Sequence, residues 1–267
     1  MELTNNRLYD AMVDRAGQVN IELVCMGLGY TAVQTSDGSM GLAYTYFDCD
    51  SGCTLMQDYQ DYEGRPAADL LSLIKSDFHL KRSMALALIN ALAQPGLEHF
   101  PPDKDNEILF NALGIGPSTN VAMVGFIKPL VEVLQSKGAS VEVIDESRGM
   151  GDKPSFYQKL GHWADAALIT STSLLNQTFE EIMQNLGSGV RAALLGPSTP
   201  MVVEAFLDWP AIRALAGTVN RERDPLLKAV RHGLGTPYLH KHSKKVTLTL
   251  QGRRTSDPAL PRIRLRR

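Results

Sequence analysis

Two short polar runs each follow an apolar stretch of the chain: Thr170-Ser171-Thr172-Ser173 with Asn176 and Thr178, and Gly196-Pro197-Ser198-Thr199-Pro200. Hydroxyls and an amide gathered at strand ends can hydrogen-bond a polar ligand, although Ser, Thr and Asn also cap helices as a matter of course. A third candidate is Gly125-Phe126-Ile127 running into Lys128-Pro129, where the free N–H groups of a helix start could receive an anionic group. A full G-x-G-x-x-G is absent, so the sequence carries no fingerprint for a tightly held dinucleotide pyrophosphate. Asp145 and Glu146 fall about 20 residues past Gly125, where dinucleotide-binding domains set an acid against ribose hydroxyls. A solvated strand end, or a pocket carboxylate with another partner, fits the same position.

A metal held by protein donors alone needs several soft or borderline ligands within reach of one another. The chain offers Cys49 and Cys53 at C-x3-C spacing with Asp48 and Asp50 beside them, and His240-x-His242 near the carboxyl end. C-x3-C is not the usual zinc-finger pair. Two histidines one residue apart share a face on a strand, but a surface pair does so equally. His79, His99, His162 and His232 have no spacing that lifts them above ordinary helix or loop histidines. The strand-end runs are rich in hydroxyl and amide groups, with few carboxylates and no imidazole. That chemistry suits an organic molecule better than a bare cation, so any divalent heavy metal is expected to arrive through an organic chelator. The competing expectation is an enzyme dependent on a nucleotide or adenosylmethionine, with Asp145 or Glu146 on a ribose and Gly125 near a phosphate or methionine moiety. No Ser/His/Asp order or catalytic carboxylate pair can be assigned, so no acid–base role follows.

The elements that must position these residues fall into two groups. In the first half, Leu8, Met12 and Val13 recur at helical spacing, and Val19, Ile21 and Leu23 alternate as in a strand. Tyr30–Thr35 and Met40–Phe47 then form a hairpin around Ser36-Asp37-Gly38-Ser39. Pro66 opens a helix over Ala67–Lys75, and His79–Ala93, apolar nearly all round, predicts a buried helix stopped by Pro95-Gly96. The stretch 101–118, through Pro101-Pro102 to Gly114-Ile115-Gly116-Pro117, reads as a linker around one short segment, Glu107–Leu113.

Beyond it the pattern changes to strands apolar throughout, alternating with helices, which predicts a parallel sheet covered on both faces. The strands are Val121–Phe126, Ser140–Ile144, Ala166–Thr170, Arg191–Leu195 and a short Gly217–Asn220, with Val246–Leu250 as an edge. The helices are Lys128–Lys137, ended by Gly138, then Leu174–Leu186 and Met201–Leu207. The fold class is therefore α/β: a small α+β domain (1–100), a linker (101–118), a Rossmann-like open sheet with helices on both faces (119–250) and a basic tail (251–267). In such sheets ligands bind outside the carboxyl ends of the strands.

Composition agrees with a globular chain. At 267 residues, 44% hydrophobic and 21% charged, there is length for two modest domains. The longest apolar runs, such as Ala85–Ala93, are far shorter than the roughly 20 residues that span a bilayer, and the start of the chain lacks a signal-peptide pattern. Three cysteines do not make a disulfide framework, so reduced thiols and a cytoplasmic setting are expected. The formal charge of −2 hides an asymmetry: Arg253–Arg267 holds six arginines and one aspartate, leaving 21 basic against 28 acidic residues before it. An Arg-rich end can touch RNA, but no aromatic platform or nucleic-acid module accompanies it, and a solvated tail is its commoner meaning. The expected partner is a small molecule, with a homodimer as the base-rate assembly.

The runs Val124-Gly125-Phe126 to Pro129-Leu130, Ala164-Asp165 to Thr178, and Leu195-Gly196-Pro197-Ser198-Thr199-Pro200 resemble those of a prokaryotic family described as "putative heavy-metal chelation" proteins. Gly27-Leu28-Gly29-Tyr30-Thr31, Gly41-Leu42-Ala43-Tyr44-Thr45 and Leu88-Ile89-Asn90-Ala91-Leu92 extend the likeness to the first half. The resemblance implies an amino-terminal domain similar to the enolase amino-terminal fold before a Rossmann-like domain. It also implies a cleft between the two, lined by Asn90 on one side and by the strand-end loops on the other. Gln177 stands where such proteins often have glycine.

Overall fold

The computed structural model describes residues 3–46 and 59–250; Phe47, Cys49, Cys53 and the Arg-rich tail lie outside the described residues. Helix α1 (Thr4–Ala16) buries Leu8 and Ala16, and strand β1 (Ile21–Met26) follows. Strands β2 (Tyr30–Thr35) and β3 (Met40–Tyr44) pair antiparallel, with Tyr30 opposite Tyr44. Their turn works as its residue types require: Asp37 Oδ1 accepts from Ser39 N at 3.1 Å and from Thr35 Oγ1 at 2.7 Å, and Gly38 takes φ +83°. Helix α2 (Ala67–Leu71) runs on as a 3₁₀ turn to Lys75, and α3 (His79–Ala93) is buried over most of its surface.

The three-stranded sheet β1-β2-β3 lies against α3. Contact is close at Gly41, where a Cβ would stand 2.1 Å from both Ala87 O and Ala91 N, so only glycine lets β3 reach the helix backbone.

The segment read as a linker contains α4 (Glu107–Leu113), which buries Leu109, Phe110 and Leu113 against the second sheet. Burial of each contributes roughly 1.5–3 kcal/mol, so this helix is part of the second half's core. Next come β4 (Asn120–Val124), α5 (Lys128–Ser136), β5 (Ser140–Ile144), α6 (Lys153–His162), β6 (Ala166–Thr170), α7 (Phe179–Gln184), β7 (Arg191–Leu195), β8 (Ile212–Asn220), α8 (Arg223–Arg231), α9 (Thr236–Leu239) and β9 (Ser243–Thr249). Among the described residues the second sheet has six strands in the order β5-β4-β6-β7-β8-β9, parallel except for β9 against β8.

Three sequence expectations change. The single helix over 174–186 is a 3₁₀ turn (Ser171–Leu174) and then α7, divided at Gln177, whose φ is +59°. The helix over 201–207 is a 3₁₀ turn of Val203–Phe206, and the short strand at 217–220 is the end of the nine-residue β8. Helix α6 adds to the cover of the six-stranded sheet, on β4 and β5, whereas α8 packs on β1 and β2 of the small sheet and buries Leu226, Ala229 and Val230 there.

The two halves share one core. Leu8, Val33, Leu70 and Leu88 belong to the same buried cluster as Ile169, Phe179, Leu194 and Phe206. Polar ties run alongside: Thr4 N donates to Glu180 Oε1 at 2.8 Å, Trp209 Nε1 donates to Thr4 Oγ1 at 3.2 Å, and Arg7 pairs with Asp208. No helix among the described residues is long and apolar enough to cross a membrane.

Candidate functional site

The chain runs from β4 outward to β5 and then returns to β6 on the other side of β4, so the sheet's topological switch point lies between β4 and β6. Open sheets of this kind leave a crevice there, because the loops on either side depart in opposite directions. Gly125 and Thr170 occupy it. Gly125 has φ +86°, and a Cβ there would stand 2.8 Å from Thr170 Cγ2, so the position requires glycine twice over.

A cavity of about 1480 Å³ opens at these strand ends. Gly125, Phe126, Asp145, Glu146, Thr170, Thr172, Asn176, Thr178, Gly196, Pro197 and Ser198 all line it. Its loops are fixed by their own hydrogen bonds. Asp145 Oδ2 accepts from Phe126 N at 2.9 Å and Oδ1 from Ser147 Oγ at 2.6 Å, with Arg148 Nε 3.4 Å from Oδ2. That carboxylate holds the Gly125–Phe126 turn. Asn176 Oδ1 accepts from Thr178 N and, at 2.8 Å, from Thr178 Oγ1. Both bonds use the amide oxygen, which fixes the plane of the Asn176 amide. Thr170 Oγ1 and Thr172 Oγ1 are 3.1 Å apart.

Three expected site residues do not line the cavity. Asn90 is only 5% exposed and donates through Nδ2 to Leu42 O at 2.8 Å, because α3 packs on β3 too closely for its side chain to reach the cleft. Thr199 is buried and bonds Ser171 Oγ at 2.8 Å, joining the two polar loops beneath the rim. His242 lies 2.7 Å from Glu222 Oε2, whereas His240 caps α9 and lines the cavity. The two histidines precede β9, with His240 at the end of α9, so they do not share a strand face. Cys49 and Cys53 lie outside the described residues. Among the described residues no three His, Cys, Asp or Glu side chains gather into a metal-holding group.

The cavity also contains what the sequence reading left out. From the first half come Tyr30, Tyr44 and Tyr46; from the second, Tyr157, Lys153 and Lys245, and they are joined by His240, which the sequence offered only as half of a histidine pair. The imidazole of His240 corrects the expectation of a site with none. Alternation at 44 and 46 on the hairpin was the available sign for the tyrosines. For Lys153 and Tyr157 it was i,i+4 spacing behind Asp152, whose Oδ2 caps α6 by accepting from Ser155 N at 3.0 Å.

Electrostatics sort these groups by their surroundings. Burial raises the Tyr30 phenol, whose oxygen sits 2.6 Å from Thr236 Oγ1, and burial followed by the nearby Glu181 charge raises Tyr157. Both remain neutral O–H groups near neutral pH. The hydrogen bond to Glu181 Oε2 at 3.0 Å raises the Lys153 ammonium. Burial lowers Lys245, which donates to Asn106 Oδ1 at 2.6 Å, and burial with the Lys245 charge lowers His240. The cavity therefore offers hydroxyls, an oriented amide and ammonium groups beside tyrosine rings.

An open, mostly parallel sheet joined to a small antiparallel sheet, with a cavity at its switch point, defines a two-sheet α/β protein. Family comparison makes this specific. A family model described as "Putative heavy-metal chelation" matches residues 108–249, and a second of the same description matches residues 9–93. The chain belongs to this family of "putative heavy-metal chelation" proteins. The uncharacterized protein MJ0500 of Methanocaldococcus jannaschii is 23% identical over 236 residues, covering 80% of this chain and 90% of that one. Two solved structures of DUF364-family proteins of unknown function share the fold. The one from Pyrococcus horikoshii has a TM-score of 0.77 at 17% identity, covering 93% of this chain and 100% of its own. The one from Desulfitobacterium hafniense has a TM-score of 0.71 at 19% identity, covering 91% of this chain and 97% of its own.

Proposed function

We propose that the protein binds a small polar organic ligand, one able to chelate a heavy metal, in the cavity between its amino-terminal α+β part (1–100) and its open-sheet part (119–250). The observation that carries this is convergence. Loops separated by up to 73 positions, from Gly125 to Ser198, meet tyrosines of the first half around one cavity at the switch point. Hydroxyl, amide and ammonium donors suit the oxygen atoms of an organic chelator. Direct coordination of a bare ion wants grouped thiolates, imidazoles or carboxylates, and among the described residues these do not group.

The nucleotide reading has less behind it. Of the two acids in the ribose-binding place, Asp145 already uses both carboxylate oxygens to hold its own loop, which leaves Glu146 alone for that role.

Calorimetric titration with Zn(II), Ni(II) or Cu(II) tests the proposal. Free ions alone are expected to give no tight stoichiometric binding, and binding at one ion per chain without an organic partner would contradict it.

A further inference from the structure

The geometry points to a slot for a flat aromatic ring between Tyr44 and the Gly196–Pro197 turn, so that the ligand is an aromatic or heteroaromatic chelator; this rests on the cavity reading above. Tyr44 keeps 39% of its surface exposed although it faces a concavity. Exposed rings inside a cleft are the usual anchors of ligand and interface binding, because they bury much area at little entropic cost.

Two features hold this ring in place. Tyr30 and Tyr46 stand roughly perpendicular to it, at centroid distances of 6.0 and 6.3 Å with interplanar angles of 89° and 72°. Its own backbone N–H donates to Ser198 Oγ at 2.8 Å, and Ser198 is 97% buried. That bond sets the last paired residue of the amino-terminal hairpin against the turn that follows β7.

The turn is shaped to complement it. Gly196 has φ +116°, a conformation that side chains rarely adopt, and no atom lies within 4 Å of where a Cβ would be. Gly196 lines the cavity and leaves open space where a side chain would begin, room that a planar ring could take. Glycine here keeps the floor low and Tyr44 supplies the wall. An aliphatic chelator such as a hydroxy-tricarboxylate would use the donors of the cavity but gain nothing from this pair.

The test follows tyrosine fluorescence and calorimetry of the full chain with 2,3-dihydroxybenzoate, an aromatic chelator, and with citrate, a non-aromatic one, each alone and with one equivalent of Zn(II). Tyr44 is surface-accessible within the cleft, so Tyr44→Leu and Tyr44→Phe should both fold, which circular dichroism checks. The slot predicts that dihydroxybenzoate binds and quenches fluorescence, that Tyr44→Leu weakens it by about tenfold or more, as expected when one stacking ring is lost, and that Tyr44→Phe keeps it. Citrate binding with no dihydroxybenzoate binding, or equal affinity in Tyr44→Leu, overturns the slot and leaves the chelator reading standing. If neither compound binds, both fail.

Discussion

The guanidinium of Arg82 in α3, with no exposed surface, donates through Nε to the carbonyl of Leu175 at 2.6 Å, tying the amino-terminal helix to the loop that carries Thr170, Thr172 and Asn176 to the cavity rim. Of its other nitrogens, Nη1 donates to Ser76 O at 2.5 Å and Nη2 lies 2.6 Å from His79 Nδ1. Burial lowers the pKa of Arg82, yet the group stays charged, and neutral acceptors spread over both halves solvate it.

Removing this group should cost stability. Arg82→Met would leave the Leu175 and Ser76 carbonyls buried without their donors, and the expected loss is about 2–4 kcal/mol in urea unfolding. Arg82→Lys should also destabilise, since one ammonium cannot replace the guanidinium fork. A loss under about 0.5 kcal/mol for Arg82→Met, the range of ordinary surface changes, would show the tie to be incidental.

Gln177 carries the opposite sign. A left-handed conformation costs a residue with a Cβ about 1–2 kcal/mol, and Gln177 sits at φ +59°. Gln177→Gly should raise stability by about 0.5–1 kcal/mol after the greater freedom of glycine in the unfolded chain is set against the relief. Gln177→Val should lower it. A Gln177→Gly protein less stable than the parent would speak against the conformation.

Gly125 and Thr170 should be coupled. Gly125→Ala forces a methyl to 2.8 Å from Thr170 Cγ2 and strains the backbone, and the expected cost is about 2–4 kcal/mol. Thr170→Ser removes that methyl but leaves Cβ at 3.0 Å, so the double variant should recover part of the steric share and keep the backbone share. Simple additivity in the unfolding cycle would mean that the two do not touch.

Asp145 provides a test on the loop itself. Asp145→Ala leaves Phe126 N without its acceptor, and hydrogen exchange at Phe126 should speed up by about tenfold, the equivalent of 1.4 kcal/mol. Unchanged protection at Phe126 would remove Asp145 from its role in the turn.

Much of the fold was legible because its causes are local. The hairpin at 30–44 follows from Asp37-Gly38 between alternating residues, α3 from a run apolar but for Asn90, and β4, β6 and β7 from largely apolar segments. The misread places depend on distant partners. Gln177 looks helix-compatible in sequence, and only the tertiary setting of Leu175 and Asn176 breaks the helix there. The amide of Asn90 reads as a site group, but the close approach allowed by Gly41 turns it to Leu42. On the site, small polar residues after apolar strands showed the strand-end loops, whereas the tyrosine wall and His240 arrive from elements far away in the chain.

The central claim is that the cavity holds an organic molecule and meets any metal through it. Native mass spectrometry of the purified chain, followed by denaturation and identification of what is released, tests it most directly. The account predicts a bound organic compound that leaves only on unfolding, with any metal ion travelling in its complex. Bare metal ions retained on the folded chain in fixed stoichiometry, with no organic compound released, would contradict it.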